Sequence, residues 1–260
     1  MTLLQQKDYR KVDKIFKSVA HGIPLIYSVI DGNSRGKIYV DSDKNPQNAF
    51  IFPNGGFMFL GSLDYNEAFL VQVCSYIFNE LIPGMTEKEM ILFSFDERTE
   101  NGLGRVLCDK KAIRIQRNIF DLNERTYKEI RKKVSLLNGC SIKRMDTGDF
   151  EAYIKNKKLG MVPSKMVGCK VLRDKETVSV CVSIFLGNGQ AEIDINTHEN
   201  YRGKGFATVC ACEFIDICLK LGLLPVWTCW PYRVESTALA RKLGFDERKS
   251  VDAHFWAENM

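Results

Sequence analysis

No window of about 18 residues in this chain is apolar enough to cross a bilayer, and the opening stretch MTLLQQKDYRK lacks the apolar core of a secretion signal. A soluble, cytoplasmic protein without a membrane partner is therefore expected. Nor is there a paired CxxC array. The nine cysteines are odd in number and sit mostly in apolar runs, among them Cys74, Cys181, Cys210, Cys218 and Cys229. Cys210 and Cys212, two apart, would point to different faces of a helix, which is poor geometry for a shared metal. With no HxxxH spacing either, no metal is expected, and buried free thiols in a reducing compartment are the plain reading. Charge of one sign is also scarce. A formal net charge of +5 suits an anionic ligand such as a nucleotide but does not argue for nucleic acid. The densest basic run, Arg131-Lys132-Lys133, falls in a predicted helix and reads as a solvated face.

What is present is an ordinary folding composition. The 260 residues are 45% apolar and 27% charged, enough for two domains with a core each. In the first half, Tyr9, Val12, Ile15, Phe16 and Val19 share a helical stripe that Gly22 and Pro24 should end. Strands are predicted at Leu25–Ile30, Lys37–Val40, Ala49–Phe52, Phe57–Leu60, Met90–Phe95 and Ala112–Gln116, with Pro53-Asn54-Gly55-Gly56 as a hairpin turn. Asn66–Leu81 has helical spacing. A charged helical stretch over 121–138 stops at Asn138-Gly139, which places a boundary between units 1–137 and 138–260. The second half opens as strand then helix (SIKRMDTGDFEAYI), with Thr147 or Asp149 as the cap. Thr177–Leu186 and Ala191–Thr197, joined through Gly187-Asn188-Gly189, read as a hairpin.

The second hairpin strand runs into NYRGKGFATV, residues 200–209, and a helix follows. A Walker loop fails here, because His198 stands where its first glycine belongs and Gly205 where its Ser or Thr belongs. The Gly-x-Gly-x-x-Gly loop fails at Thr208. Its glycines would also have to follow a parallel strand, and this one is hairpin-fed. The pattern Arg/Gln-x-x-Gly-x-Gly/Ala fits at every fixed position of Arg202-Gly203-Lys204-Gly205-Phe206-Ala207. Gly203 and Gly205 would let the backbone turn sharply and approach a pyrophosphate. The helix from Phe206 would aim its positive end at that anion, and Arg202 and Lys204 would add full charges. The bland alternative is a basic turn before a helix.

These residues resemble the GNAT superfamily of acyl-CoA-dependent N-acyltransferases. Ala191–Thr197 is similar to its fourth strand, PVWTCW (225–230) to its fifth, and Ser236–Phe245, with its Lys-Leu-Gly-Phe ending, to its closing helix. VSVCVSIF, AEIDINTHENYRGKGFAT and LPVWTCW together resemble a two-domain subgroup that contains the zwittermicin A resistance acetyltransferases, whose first half is a diverged GNAT-like domain; KIYVDSDKNPQNAF is similar to it. The resemblance implies an α+β fold built on a mixed sheet, and acetyl-CoA or another short acyl-CoA as co-substrate. Its pyrophosphate would lie on Arg202, Gly203, Lys204, Gly205, Phe206, Ala207 and Thr208, and its pantetheine along Ile195, Asn196 and Thr197. A neutral amine of a small acceptor would attack the thioester directly, with a backbone N–H polarising the carbonyl.

A base must take the ammonium proton. Glu192 and Asp194 share one face of the fourth strand with Asn196, and either could serve as base or orient the amine. Two departures stand out. Ala240 occupies the position where many relatives carry a Tyr that protonates the departing thiolate, and Arg233 stands where many carry an Asn on CoA; Arg233 could instead contact a phosphate. Tyr232 and His198 read better as surface residues than as catalytic groups, and Trp227 and Trp230 better as core than as pocket. A non-catalytic acyl-CoA sensor is the competing expectation. The acceptor's identity and the oligomeric state are left open.

Overall fold

The computed structural model describes residues 1–53, 56–94, 96–157, 160–248 and 250–260. It divides into two compact units, residues 1–116 with 251–260 and residues 117–250.

The first unit opens with strand β1 (Thr2–Leu3), a 3-10 turn over Gln6–Val12 and the short helix α1 (Asp13–Phe16), which together bury the predicted stripe. The next segment departs from expectation. Ile23–Ile30 is helix α2, not a strand, and Gly22 (φ 67°) with Pro24 begins it rather than ending its predecessor. Every residue from Pro24 to Ile30 is buried. A short run buried on all sides shows no periodicity that could tell helix from strand. Strands β2 (Gly36–Val40), β3 (Asn48–Pro53) and β4 (Phe57–Ser62) follow in antiparallel register. The turn residues Asn54 and Gly55 lie outside the described residues. Helix α3 (Glu67–Tyr76) continues into a π turn over Ile77–Leu81. Strand β5 (Glu89–Ser94) then pairs parallel to β4; Phe95, expected at its end, is outside the described residues. Helix α4 (Glu97–Leu107) completes the layer. The carboxy-terminal strand Val251–Ala257 pairs antiparallel with β5, so the last residues fold with the first unit. Phe50, Met58, Leu60, Val73, Leu92 and Leu103 form its core under α3 and α4.

The second unit's sheet runs β6 (Ile113–Leu122), β11 (Leu224–Cys229), β10 (Gln190–Thr197), β9 (Glu176–Gly187), β8 (Gly168–Arg173) and β7 (Cys140–Arg144), with β12 (Phe245–Glu247) also on β6. Among the described residues of this sheet, β10 and β11 pair in parallel and β6–β11, β6–β12, β10–β9, β9–β8 and β8–β7 are antiparallel. The β9–β10 turn carries Asn188 (φ 48°) and Gly189 (φ 72°), the left-handed pair that an Asn-Gly hairpin needs. Helix α7 (Phe206–Lys220) covers one face, over Cys181, Ala191, Ile193 and Trp227. Trp227 is 1% exposed, and a side chain of that size contributes about 1.5–3 kcal/mol by leaving water. On the same side lie α5 (Glu124–Arg131) and α8 (Val234–Lys242). The Tyr127 hydroxyl of α5 donates to the Cys212 carbonyl (2.8 Å), ties to Asp216 Oδ1 (2.6 Å), and has its pKa driven upward by burial and by Asp216. Helix α6 (Thr147–Lys157) is capped by Asp146 rather than by Thr147 or Asp149 alone: Asp146 Oδ1 accepts from the Asp149 N–H (2.9 Å), and the Asp149 carboxylate returns the bond (3.2 Å).

The unit boundary falls between Gln116 and Arg117, inside β6, instead of at 137/138. Phe120 and Tyr127 are buried in the second core, with Leu137 against it, so the segment before Asn138 belongs to that unit. The charged composition of 121–138 had masked a strand end at Asp121–Leu122, and the expected helix is shorter, Glu124–Arg131, with Tyr127 turned into the core. Among the described residues, no helix is long and apolar enough to cross a membrane, and no group of three His, Cys, Asp or Glu could hold a metal.

Candidate functional site

The corner between β10 and α7 is made by glycines in conformations that other residues rarely adopt. Gly203 has φ 73° and Gly205 φ 88°. A Cβ at either would meet nothing within 4 Å, so backbone shape, not crowding, demands glycine, and the space before the helix is open. Gly205 caps α7 without any side-chain hydrogen bond. The first-turn N–H groups of a 15-residue helix therefore face this space without a side-chain acceptor. Lys204 is exposed, with Nζ donating to the Asn200 carbonyl (2.9 Å) and standing 5.7 Å from the Tyr201 ring centre. Arg202 donates from Nε to the Thr197 carbonyl (3.2 Å), tying the loop to the strand end. Lys242, at the end of α8, was not anticipated. Its Nζ donates to Thr208 Oγ1 (3.2 Å), bringing a third cation to the first turn. The Phe206 side chain is core, edge-on to Tyr201, so only its backbone faces the opening. The corner thus combines open backbone N–H groups with three cations, an arrangement suited to an anion.

Just before the corner, two strands part. β10 and β11 pair only at Gln190, Ala191 and Glu192, and β10 continues to Thr197 on β9 alone. The register of β10 on β9 shifts between Glu192 and Ile193, skipping Ile184. The edge from Ile193 to Thr197 that faces β11 is thus left without a strand partner. Ile195 packs against the core, Asn196 is exposed, and the Thr197 hydroxyl meets Ser179 Oγ at 2.9 Å.

Glu192 and Asp194 lie on the face away from α7, as the alternation requires. Glu192 is 5% exposed and heavily engaged: Oε1 accepts from Thr228 Oγ1 (2.5 Å) and from an Arg117 terminal nitrogen (3.0 Å). Asp194 Oδ2 accepts from the Tyr153 hydroxyl of α6, and Lys157 Nζ stands 3.5 Å away. Burial and Asp194 together push the Tyr153 phenol pKa far up, which keeps it a donor. Arg117, Thr228, Tyr153 and Lys157 were all missed. Arg117 lies outside any motif, and Thr228 could have been found only by alternating along PVWTCW from the core residues Trp227 and Cys229.

At the mouth of α8, Arg233 and Tyr232 are exposed, and Arg233 has no contact with the glycine corner among the described residues. Ala240 is fully buried. Ser236 sits in the first turn of α8 and accepts from Trp227 Nε1 (3.0 Å). Trp227 is therefore core, while Trp230 is partly open beneath Arg117, whose guanidinium carbon lies 4.6 Å from its ring centre. His198 is an exposed loop residue.

A parted parallel strand pair that ends in an uncapped glycine corner agrees with what the sequence matches: the GNAT acetyltransferase family, over residues 14–253. The chain belongs to the GNAT acetyltransferase family. It is 31% identical over 257 residues to the uncharacterized N-acetyltransferase YdfB of Bacillus subtilis (strain 168), covering 94% of this chain and 95% of that one. By fold it is similar to a GCN5-related N-acetyltransferase-like protein from Streptococcus suis (TM-score 0.70, 23% identity, 96% and 98% of the two chains). It is likewise similar to a tandem GNAT protein from the clavulanic acid biosynthesis pathway (TM-score 0.63, 10% identity, 98% and 97%). The chain is thus a GNAT-type acetyltransferase with the mixed α/β fold of that family, whose members use an acyl-CoA co-substrate.

Proposed function

We propose that the second unit moves an acetyl group from acetyl-CoA to a primary amine of a small molecule or peptide, with both substrates bound together. One observation carries this reading: the open, side-chain-free corner at Gly203–Gly205 stands at the end of a strand that has just lost its neighbour. The main-chain N–H groups from Gly203 to Thr208, with Arg202, Lys204 and Lys242, would hold the diphosphate, and the bare edge from Ile193 to Thr197 would hold the pantetheine arm. When bound, acetyl-CoA supplies an activated carbonyl. The protein aligns the amine against it, and alignment of two reactants can account for much of such a barrier. A C–N bond forms, the C–S bond breaks, one proton leaves the nitrogen and one reaches the sulfur.

Glu192 and Asp194 receive the amine's N–H groups. Ala240 has no proton to give, so the thiolate, a good leaving group, takes its proton from water. Arg233 closes over the phosphate end from the start of α8. The nine free cysteines fit a reducing cytoplasm. We read the first unit as a diverged GNAT-like copy.

The buried Ala240 supports a second reading, a protein that binds acyl-CoA without turning it over. Thiol release from acetyl-CoA over a panel of primary amines separates the two. Release with any amine supports transfer, whereas tight binding of acetyl-CoA with no release from the whole panel supports the sensor.

A further inference from the structure

Three strands lying side by side bring one residue each to the face of the sheet that carries Glu192. In β11, Val226 and Thr228 alternate with the core residues Trp227 and Cys229, and Trp230 follows directly after the strand. In β6, Asn118 pairs with Cys229 and Ile119 with Thr228, so Arg117, the next residue along, comes opposite Trp230. Arg117 lies over the Trp230 ring, donates from Nε to Thr228 Oγ1 (2.8 Å), and donates from a terminal nitrogen to Glu192 Oε1 (3.0 Å). The Thr228 hydroxyl donates its own hydrogen bond to the same Oε1. The Arg117 side chain is 14% exposed and that of Glu192 7%. Arg117 therefore has a ring beneath it and two hydrogen-bond partners in a plane, an arrangement that an ammonium cannot reproduce. Among the described residues, both bonds to Glu192 fall on Oε1 and none on Oε2.

We infer that Arg117 is a positioning residue: it fixes the Glu192 carboxylate by its Oε1, so that Oε2 is presented to the acceptor nitrogen. This rests on the transfer reading above. Of the two roles open to Glu192, this geometry favours orienting the amine: Oε1 already accepts from Thr228 and Arg117, and Oε2 is the oxygen left to receive an amine N–H. The proton then departs to Asp194 or to water. A buried pair of this kind is costly to break on one side, because the remaining charge loses its partner.

The test uses the full chain, acetyl-CoA and whichever amine of the panel the wild-type protein turns over, with Arg117→Met, Arg117→Lys, Glu192→Gln and the Arg117→Met/Glu192→Gln pair. Arg117→Met should lower kcat/KM for the amine by about tenfold or more and leave the Kd for CoA within about twofold. Arg117→Lys should recover only part of the loss, since charge returns without the planar fork. The double variant should be no worse than Glu192→Gln, because both changes remove the same contact. Melting temperatures identify any variant that has merely lost its fold, and Arg117→Lys, with its charge kept, carries the comparison if Arg117→Met has. Full activity in Arg117→Met, or losses that add in the double variant, would overturn the role of Arg117 and leave transfer standing. A wild-type protein that binds acetyl-CoA but releases no thiol with any amine would overturn both.

Discussion

Each unit sends one strand of a parallel pair into a helix, and the two corners are built for opposite ends. In the first unit the chain leaves β4 through Leu63-Asp64-Tyr65-Asn66, and the Asn66 side chain accepts from the Phe69 N–H (3.0 Å), closing the start of α3. Glu67 adds a negative charge to the first turn. Tyr65 fills the space beside the corner, with Arg105 on its hydroxyl (3.0 Å) and Arg98 over its ring. The β4–β5 pair stays in step from Phe57 to Leu60, four of the six residues of β4. In the second unit the corresponding helix start has no side-chain cap, no acid in its first turn and three cations near it, and pairing ceases after three of eight strand residues. The topology is shared. The two corners differ in cap, in first-turn charge and in how far the strand pair runs.

The buried glutamates repeat the contrast. Glu100, 8% exposed, has a neighbour at each carboxylate oxygen: Ser94 Oγ donates to Oε2 (2.5 Å), and His254 Nε2 lies 2.9 Å and Arg114 Nε 3.6 Å from Oε1, which accepts no hydrogen bond among the described residues. Burial alone would raise its pKa, but the His254 and Ser94 contacts outweigh it and hold the group below the ordinary carboxylate value. Glu192, equally buried, takes both of its bonds on Oε1, from a threonine and an arginine. One acid is held by ionic neighbours on either side, the other by a single oxygen.

The sharpest way to break this comparison is Gly205→Glu, which puts bulk and negative charge where the diphosphate belongs. CoA affinity should fall by roughly a hundredfold or more in calorimetry. An unchanged Kd would place the cofactor elsewhere. Glu100→Gln should cost about 2 kcal/mol in urea melts at pH 7, and that cost should vanish in acid. The sign follows from the depressed pKa: the stabilisation is complete above the unfolded-state value of about 4.3 and is lost as pH falls through the folded one. A cost that persists in acid would mean that packing, not charge, holds Glu100. Asn66→Ala should cost about 1 kcal/mol of stability as a lost cap, with CoA binding untouched. A change in Kd there would show that the first corner also takes the cofactor. Smallest of all, Lys242→Ala should weaken CoA about threefold, an effect that added salt should erase because the cation is exposed.

The glycine corner was legible because backbone conformation is written in residue type: only glycine sits easily at φ 73° and 88°. The Asn-Gly hairpin and the period-two placement of Glu192 and Asp194 were legible for similar local reasons. The α2 segment was not, since a run buried on every side has no polar face to mark its period. The unit boundary was hidden for a different reason. Val251–Ala257 closes the first sheet from the far end of the chain, and nothing local in a strand names its distant partner. Arg117 was invisible on the same ground: its meaning comes from Trp230, Thr228 and Glu192, all more than a hundred positions away except Glu192 at 75.

The sulfur content of the second core bears on how this chemistry would be followed. All nine cysteines are free, and seven are buried, three of them along α7. Loss of hydration drives the thiols of Cys74 and Cys218 to about 12 and that of Cys212 to about 11, so they stay protonated and shielded in neutral solution. A colorimetric disulfide reagent mixed with the folded protein would meet chiefly Cys108 at the surface and Cys140 at its margin. Free coenzyme A accumulating over many turnovers would stand far above that faint background.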